Sequence, residues 1–524
     1  MSHLRRSQLN GKYDIAIVGS GFAGSLLAMI ARRLGFSTLL LERGKHPRFM
    51  IGESATPLSN LLLEEMAVRY DLPAIRSLSK WGSWQEYHPE IACGLKRGFT
   101  FYHHVLGEAD APDPDHQRQL LVAASPHDRI ADTHWYRADF DAFLVNEAQS
   151  LGVDYIDEVK LAELAPCGDG VTLHGQKDGQ PVSFHARFVV DATGPRGFVH
   201  RALRLPEAKL PNYLSTQALY SHFSGVKRLD QIERTAGIPP YPVDDAAVHH
   251  VFDGGWIWVL RFNNGLVSAG VAATDRIAAE LRLEDGASAW ERLLSQMPTL
   301  KKQFAEARAE RQFAHLRQVS FLSGNICGDR WALLPSAAGF VDPLLSTGFP
   351  LTLMGISRLA EIFERDWNST SFDARLREYA KLTLDDLHAT SRLVAALYTN
   401  MSNFRVFAAL SLLYFAAASY SETARRLNKV HLAPSFLLHD HPAFGPASRK
   451  VLEQALHLRG ELDAAGLIAQ ILRVIEPVDV AGFCRQGRRN WFPVDAEDLL
   501  RSAAKVESTS AEIAQLLQNC GFYA

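Results

Sequence analysis

Tyr13-Asp14-Ile15-Ala16-Ile17-Val18-Gly19-Ser20-Gly21-Phe22-Ala23-Gly24 sets how the chain begins to fold. The mostly apolar run from Tyr13 to Val18 stops at a glycine, which reads as a parallel strand buried on both faces. The glycines that follow have the spacing G-x-G-x-x-G. Gly19 permits the tight turn, Gly21 lets a pyrophosphate approach the backbone, and Gly24 lets the next helix pack closely on the strand. The N-terminus of that helix, which runs from about Phe22 to Leu34 and closes at Gly35, favours a bound anion. A second strand, STLLLE, ends at Glu42. Its carboxylate has the spacing of the acid that binds adenosine ribose hydroxyls. The βαβ unit is therefore expected to hold a dinucleotide through Gly19, Gly21, Phe22, Ala23, Gly24, Glu42 and Arg43.

Working outward, LSNLLLEEMAVRYDL reads as a helix, and Trp81 to Val105 alternates like strands. Gly107 to His116 is a loop rich in Asp and Pro, and Asp139 to Leu151 reads as an amphipathic helix. Strands resume in VDYIDEV, VTLHG, SFHA and RFVVDATG. The stretch from about 210 to 275 is strand-rich, and helices dominate after Gly348. The expected fold class is α/β. A βαβ nucleotide-binding domain (1–210 with 315–370) is interleaved with a β-rich substrate domain (80–125 with 211–314). An α-helical C-terminal region (371–524) follows.

Composition narrows the function. With 524 residues, 47% hydrophobic and 22% charged, the chain is an ordinary globular protein large enough to bury a whole cofactor. A net charge of -3 without a basic stripe gives no footprint for nucleic acid. The five cysteines lie far apart and form no CxxC pair, which argues against a zinc site or disulfide framework and for a reduced, cytoplasmic setting. MSHLRRSQLNGKYD has basic residues without the apolar stretch of a signal peptide. A long uncharged run near the C-terminal half, Val406 to Ser421, is shorter than the roughly 20 residues a membrane span needs and reads as a buried helix. Membrane association is not expected.

Two later segments point to FAD. Arg137, in WYRADFDAFL, precedes a helix where many glutathione-reductase-type flavoproteins keep an arginine near the flavin. RFVVDATGPRG, with Asp191 and Gly194, resembles the strand end that meets FAD in that superfamily. HPRFMIGESATP then resembles the flavin-dependent halogenases that act on pyrroles and phenols, whose loop equivalent to Gly52-Glu53-Ser54 contacts the flavin. Gly94-Leu95-Lys96-Arg97-Gly98-Phe99 resembles the segment carrying that family's catalytic lysine. Phe252-Asp253-Gly254-Gly255-Trp256-Ile257-Trp258 resembles its tryptophan-rich strand. Gly339-Phe340-Val341-Asp342-Pro343-Leu344-Leu345-Ser346-Thr347-Gly348 matches its F-x-x-P-x-x-S-x-G signature. The resemblance covers about residues 13 to 355.

The resemblance implies an enzyme that uses FADH2 from a separate reductase, O2, and chloride or bromide. A flavin C4a-hydroperoxide would oxidise the halide to hypohalous acid, which is relayed through Lys96 to an electron-rich aromatic, free or tethered to a carrier protein. Ser346, Thr347 and Gly348 would hold the halide, and Asp342 and Pro343 would lie beside the cofactor. Ser346 also reads as an ordinary helix N-cap. Trp256, Trp258, His249, His250 and Phe101 are candidates to line the substrate pocket, although strand tryptophans usually pack cores and a structural role fits the histidines as well.

Three departures matter. Arg261 stands where the family's W-x-W-x-I-P strand has proline, which leaves a flavin hydroxylase as the alternative. Leu345 stands where tryptophan halogenases carry glutamate, which argues against free tryptophan as substrate. Pro335-Ser336-Ala337-Ala338-Gly339 lacks the aspartate of the hydroxylases' G-D-A-A-H. A flavoprotein without catalysis, docking a partner or membrane through its apolar helix, is the second alternative.

Overall fold

The computed structural model describes residues 11–109, 113–212, 214–232, 237–458 and 460–523. Most of the N-terminal segment and the centre of the Gly107–His116 loop lie outside them.

The opening strand forms over Lys12–Val18, its helix over Phe22–Arg33 and the second strand over Thr38–Leu41. The two strands are parallel, with Ile15 opposite Thr38 and Val18 opposite Leu41. On its other side Lys12–Val18 pairs in parallel with Gln180–Asp191, and that strand pairs with Trp331–Leu333. Asp154–Ile156 completes the parallel core of an eight-stranded sheet. The helix Phe22–Arg33 packs against Arg137–Ser150 and Gly348–Asp366. Ile15, Ile17, Leu39 and Leu40 are fully buried between sheet and helices.

A nine-stranded, mostly antiparallel sheet forms the second layer. Its centre is Thr216–Ser224, Val267–Thr274, Gly255–Arg261 and Ala247–Phe252, extended by Gly98–His103 and Gln119–Ala123. Side chains alternate between its faces. One face, with Trp256, Trp258 and Phe101, joins the main core, while the other, with Val248, Ile257 and Val259, packs in a second cluster.

Two expectations are revised. Trp81–Tyr87 is a helix, not a strand; Trp84 is fully buried there and its indole N–H donates to Ile91 O at 2.9 Å. That tertiary anchor overrides an alternation too short to specify a period. The C-terminal region is also not purely helical, because Trp491–Phe492 pairs in parallel with Leu121–Val122 and extends the nine-stranded sheet. The helix Phe404–Arg426 has the length and composition to cross a membrane, yet 83% of its apolar window is buried inside the protein. It packs on Pro57–Arg69 and Gly460–Ile475 as a core helix.

Candidate active site

The glycine turn is built as its sequence demands. Gly19 has φ +100°, and a Cβ there would lie 2.8 Å from Ala192 O. A Cβ on Gly24 would lie 1.8 Å from Gly19 O, so no other residue fits. A Cβ on Gly21 would meet only side-chain tips, with Arg137 Nη2 at 3.3 Å, Asp141 Oδ2 at 3.7 Å and Arg48 Nη2 at 4.0 Å. The backbone N–H groups of the helix start, with Phe22 and Ala23 buried at its foot, therefore open toward two guanidinium groups and the carboxylate that pairs with one of them. That arrangement fits a pyrophosphate.

Glu42 accepts from Ser20 N at 3.0 Å and Gly44 N at 2.9 Å, and pairs with Arg48 at 3.2 Å. Burial raises its pKa, but Arg48 and the N–H donors outweigh this and hold the carboxyl below its usual range. Arg43 is exposed, and Arg48 is the arginine on the turn. Sequence reading passed over Arg48, although a basic residue between Glu42 and Gly52 was visible. Buried Arg48 Nε and His46 Nδ1 have no partner among the described residues, consistent with a polar ligand at this place. Asp191 is spent internally: its oxygens accept from Thr193 N at 2.8 Å and Val199 N at 2.6 Å, which fixes the loop through Gly194 (φ +83°).

Arg137 links the turn to the next loop. It forms a bidentate pair with Asp141, both bonds 2.8 Å, lies over Phe22, and donates to Gly52 O at 2.9 Å. Gly52, at φ +89°, starts the bend that buries Glu53 and leaves Ser54 half-buried. Glu53 Oε1 lies 2.7 Å from His222 Nε2, while its Oε2 is buried without a partner.

Lys96 is fully buried on the strand Cys93–Lys96. Its ammonium donates to Ser54 Oγ at 2.8 Å and to Ala55 O, and lies 3.8 Å from the centroid of Phe99. Directly opposite in the antiparallel pair stands Asp132, so the two side chains share a face. Burial lowers the Lys96 pKa to about 7, against the pull of Asp132, and burial raises that of Asp132. An amine that loses its proton near neutrality is both a hydrogen-bond donor and a nucleophile.

Beyond Lys96 lies a cavity of about 190 Å³. Asn60, Phe99, Asp132, Tyr414 and Phe415 line it, and its far wall comes from C-terminal residues such as Phe522. None of Trp256, Trp258, His249 and Phe101 lines it. These four form a packed aromatic layer beside it: Phe101 stacks on His249 at 4.4 Å, and His249 lies 5.2 Å from Trp256. His250 is on the opposite face of the sheet, bonded to His104 at 2.9 Å. The structure thus separates it from the other pocket candidates. The cavity residues carry no local motif, since they converge from distant parts of the chain.

The turn before Gly348–Asp366 places Leu345 and Ser346 at φ +62° and +55°. The helix N-cap is Thr347, and no side chain caps it, so the N-cap reading of Ser346 does not hold. The N–H groups of the first turn have no acceptor within the helix, and Thr347 is buried while Gly348 is half-buried. This is a concave, anion-favouring end. Asp342, in front of Pro343, accepts from Leu344 N at 3.0 Å and Tyr398 OH at 3.0 Å. Tyr398 OH in turn accepts from Trp256 Nε1 at 3.0 Å. The tryptophan strand and the anion turn are tied by one chain of hydrogen bonds.

Arg261 points away from all of this. It pairs with buried Asp244 at 2.9 Å and donates to Val226 O at 3.0 Å. Its carbonyl is what Gly94 accommodates, since a Cβ there would lie 1.9 Å from Arg261 O.

The chain matches known proteins along most of its length. Residues 131–404 match the tryptophan halogenase family and residues 12–219 an FAD binding domain. Monodechloroaminopyrrolnitrin halogenase PrnC of Pseudomonas fluorescens is 30% identical over 77% of this chain and 70% of its own. Tetracycline 7-halogenase of Kitasatospora aureofaciens is 31% identical over 66% of this chain, which spans 62% of that protein. The crystal structure of halogenase PltM with phloroglucinol and FAD superposes with a TM-score of 0.80 at 25% identity, covering 91% of this chain and 99% of that one.

Proposed function

The chain belongs to the flavin-dependent halogenases, and from that premise we propose that it places chlorine or bromine on a phenol or pyrrole ring, with the halogen passing Lys96. Bound as FADH2, the cofactor supplies the dioxygen activation that turns halide into hypohalous acid. The chain does the rest. The Gly19–Gly24 turn, Arg48 and Arg137 hold the pyrophosphate, and Glu42 the ribose. The Gly52–Ser54 bend and the Asp342–Pro343 turn would hold the ring system. Thr347 and Gly348 hold the halide through backbone N–H groups. Lys96 donates to hypohalous acid, or takes the halogen on its neutral nitrogen, and presents it to the cavity.

One observation carries this reading: Lys96 is buried between Ser54 Oγ and Ala55 O on one side and, on the other, a cavity lined by Phe99. An exposed lysine would argue the reverse. A single dinucleotide fingerprint supports a separate reductase, and the scattered free cysteines support a cytoplasmic setting. The hydroxylase reading loses its support, since the Arg261 side chain is tied to Asp244. The docking reading loses its cue, since the apolar helix is a core helix.

The test incubates the purified protein with FADH2, O2, bromide and a panel of phenols and pyrroles, followed by mass spectrometry. The expected result is the paired isotope pattern of one bromine. A gain of one oxygen without bromine would contradict it.

A further inference from the structure

We propose that Asp132 is the substrate-binding carboxylate of the cavity, accepting the O–H of a small phenol and holding the ring against Lys96. This rests on the halogenase reading above and goes further, by naming the acceptor class and the residue that recognises it.

The argument begins with the strand pair. Lys96 and Asp132 are cross-strand partners, so their Cβ atoms lie about 5 Å apart on one face. Lys96 turns toward Ser54 and Ala55, while Asp132 lines the cavity. Asp132 is 6% exposed; its Oδ1 accepts from Asn60 Nδ2 at 2.9 Å, and its Oδ2 is buried without a partner among the described residues. A buried carboxylate oxygen without a donor is destabilising, and a ligand's donor removes that cost. The surrounding walls, Phe99, Tyr414 and Phe415, suit a flat aromatic ring. A cavity of about 190 Å³ suits a small free molecule.

The donor is better matched by a phenol than by an alcohol or amide. Burial raises the Asp132 carboxyl toward neutrality, Lys96 and Asn60 lower it, Glu422 raises it, and Arg426 lowers it. A phenol loses its proton near pH 10, so the two acids are closer than an ordinary carboxylate and phenol. During attack the phenolic proton is held at Asp132 Oδ2, which pushes electron density into the ring. The ring carbon forms its bond to the halogen of hypohalous acid, and the oxygen–halogen bond pair stays on oxygen. The displaced ring proton joins that hydroxide as water, and the phenolic proton returns. Asp132 ends unchanged.

The experiment uses the FAD-loaded full chain with FADH2, O2 and bromide, offering a phenol, its O-methyl ether and a pyrrole-2-carboxamide of similar size. Bromoarene and trapped hypobromite are both measured. The wild type is expected to prefer the phenol over its ether by about 100-fold in kcat/KM, and Asp132→Asn, which keeps the acceptor for Asn60, is expected to lose about 100-fold on the phenol alone. Hypobromite release and flavin content should be unchanged. Equal turnover of phenol and ether by the wild type, a preference for the pyrrole, or Asp132→Asn within threefold of wild type would overturn the assignment. The substrate comparison needs no variant, so a misfolded Asp132→Asn leaves the proposal open to refutation. Absence of both hypobromite and bromoarene in the wild type would instead sink the halogenase reading itself.

Discussion

The Lys96 ammonium lies 3.8 Å from the centroid of the Phe99 ring, and that ring is part of the cavity wall. Lys96, at the end of Cys93–Lys96, and Phe99, on the next strand Gly98–His103, therefore stand between the Ser54–Ala55 loop and the cavity. Ser54 and Ala55, on the loop assigned to the flavin, hold the nitrogen on one side. Phe99 and the cavity are on the other. A cation over a ring face is attracted by roughly 0.5–2 kcal/mol, which helps a charged lysine persist where burial lowers its pKa to about 7.

The glycine turn gives the simplest prediction. A Cβ on Gly24 would lie 1.8 Å from Gly19 O, a backbone atom with no freedom to move. Gly24→Ala should therefore purify without visible flavin absorbance and melt at a lower temperature. Retention of a full complement of FAD would contradict the placement of the pyrophosphate.

Arg261 gives the second. Removing one partner of a buried ion pair leaves the other uncompensated, which costs about 3–5 kcal/mol in the general case. Asp244 is fully buried beneath Arg261 and, without it, keeps among the described residues the backbone donors Leu229 and Asp230 and the more distant charge of Arg228. Arg261→Ala should thus lower stability by about 3 kcal/mol in denaturant titration, while its product stays brominated. A switch to hydroxylated product would show that Arg261 governs the chemistry after all.

His249 sets a pH dependence. Burial lowers its pKa from 6.5 to about 3. Between these values the unfolded chain takes up a proton that the folded chain refuses, so stability falls as pH drops below 6.5. The loss is about 1.4 kcal/mol per unit, or about 2 kcal/mol at pH 5. Asp342 works in the opposite direction, since its raised pKa, about 6, contributes stability at low pH that is lost as pH rises through that value. Comparing His249→Gln with wild type isolates the histidine: the melting-temperature difference between pH 7 and pH 5 should shrink in the variant. An unchanged difference would mean that the imidazole takes up its proton in the folded state.

What was legible in the sequence was what local chemistry imposes. Gly19 and Gly24 are dictated by backbone clashes, Gly21 by the repeat of the motif, and Glu42 by the length of one βαβ unit. Lys96 was legible only through its resemblance to a family motif, because a lysine in a short strand has no local mark of burial. His249 and His250 are a different case. Adjacent strand residues face opposite ways, so the period itself predicted that they could not share a pocket. That Arg48, and not Arg43, lies beside Gly21 was illegible because the path of a loop is not written in its spacing. The cavity was illegible for a stronger reason. Asn60, Asp132, Tyr414 and Phe522 are brought together only by packing helix Phe404–Arg426 and the chain end over the strands.

The most direct test of the role of Lys96 separates formation of hypohalous acid from its use. Lys96→Met keeps the length of the side chain and removes the nitrogen. With FAD bound and with FADH2, O2 and bromide supplied, trapped hypobromite should form at the wild-type rate while bromination of a phenol falls by at least about 100-fold. Full bromination by Lys96→Met, or loss of hypobromite together with the bromoarene, would contradict the account.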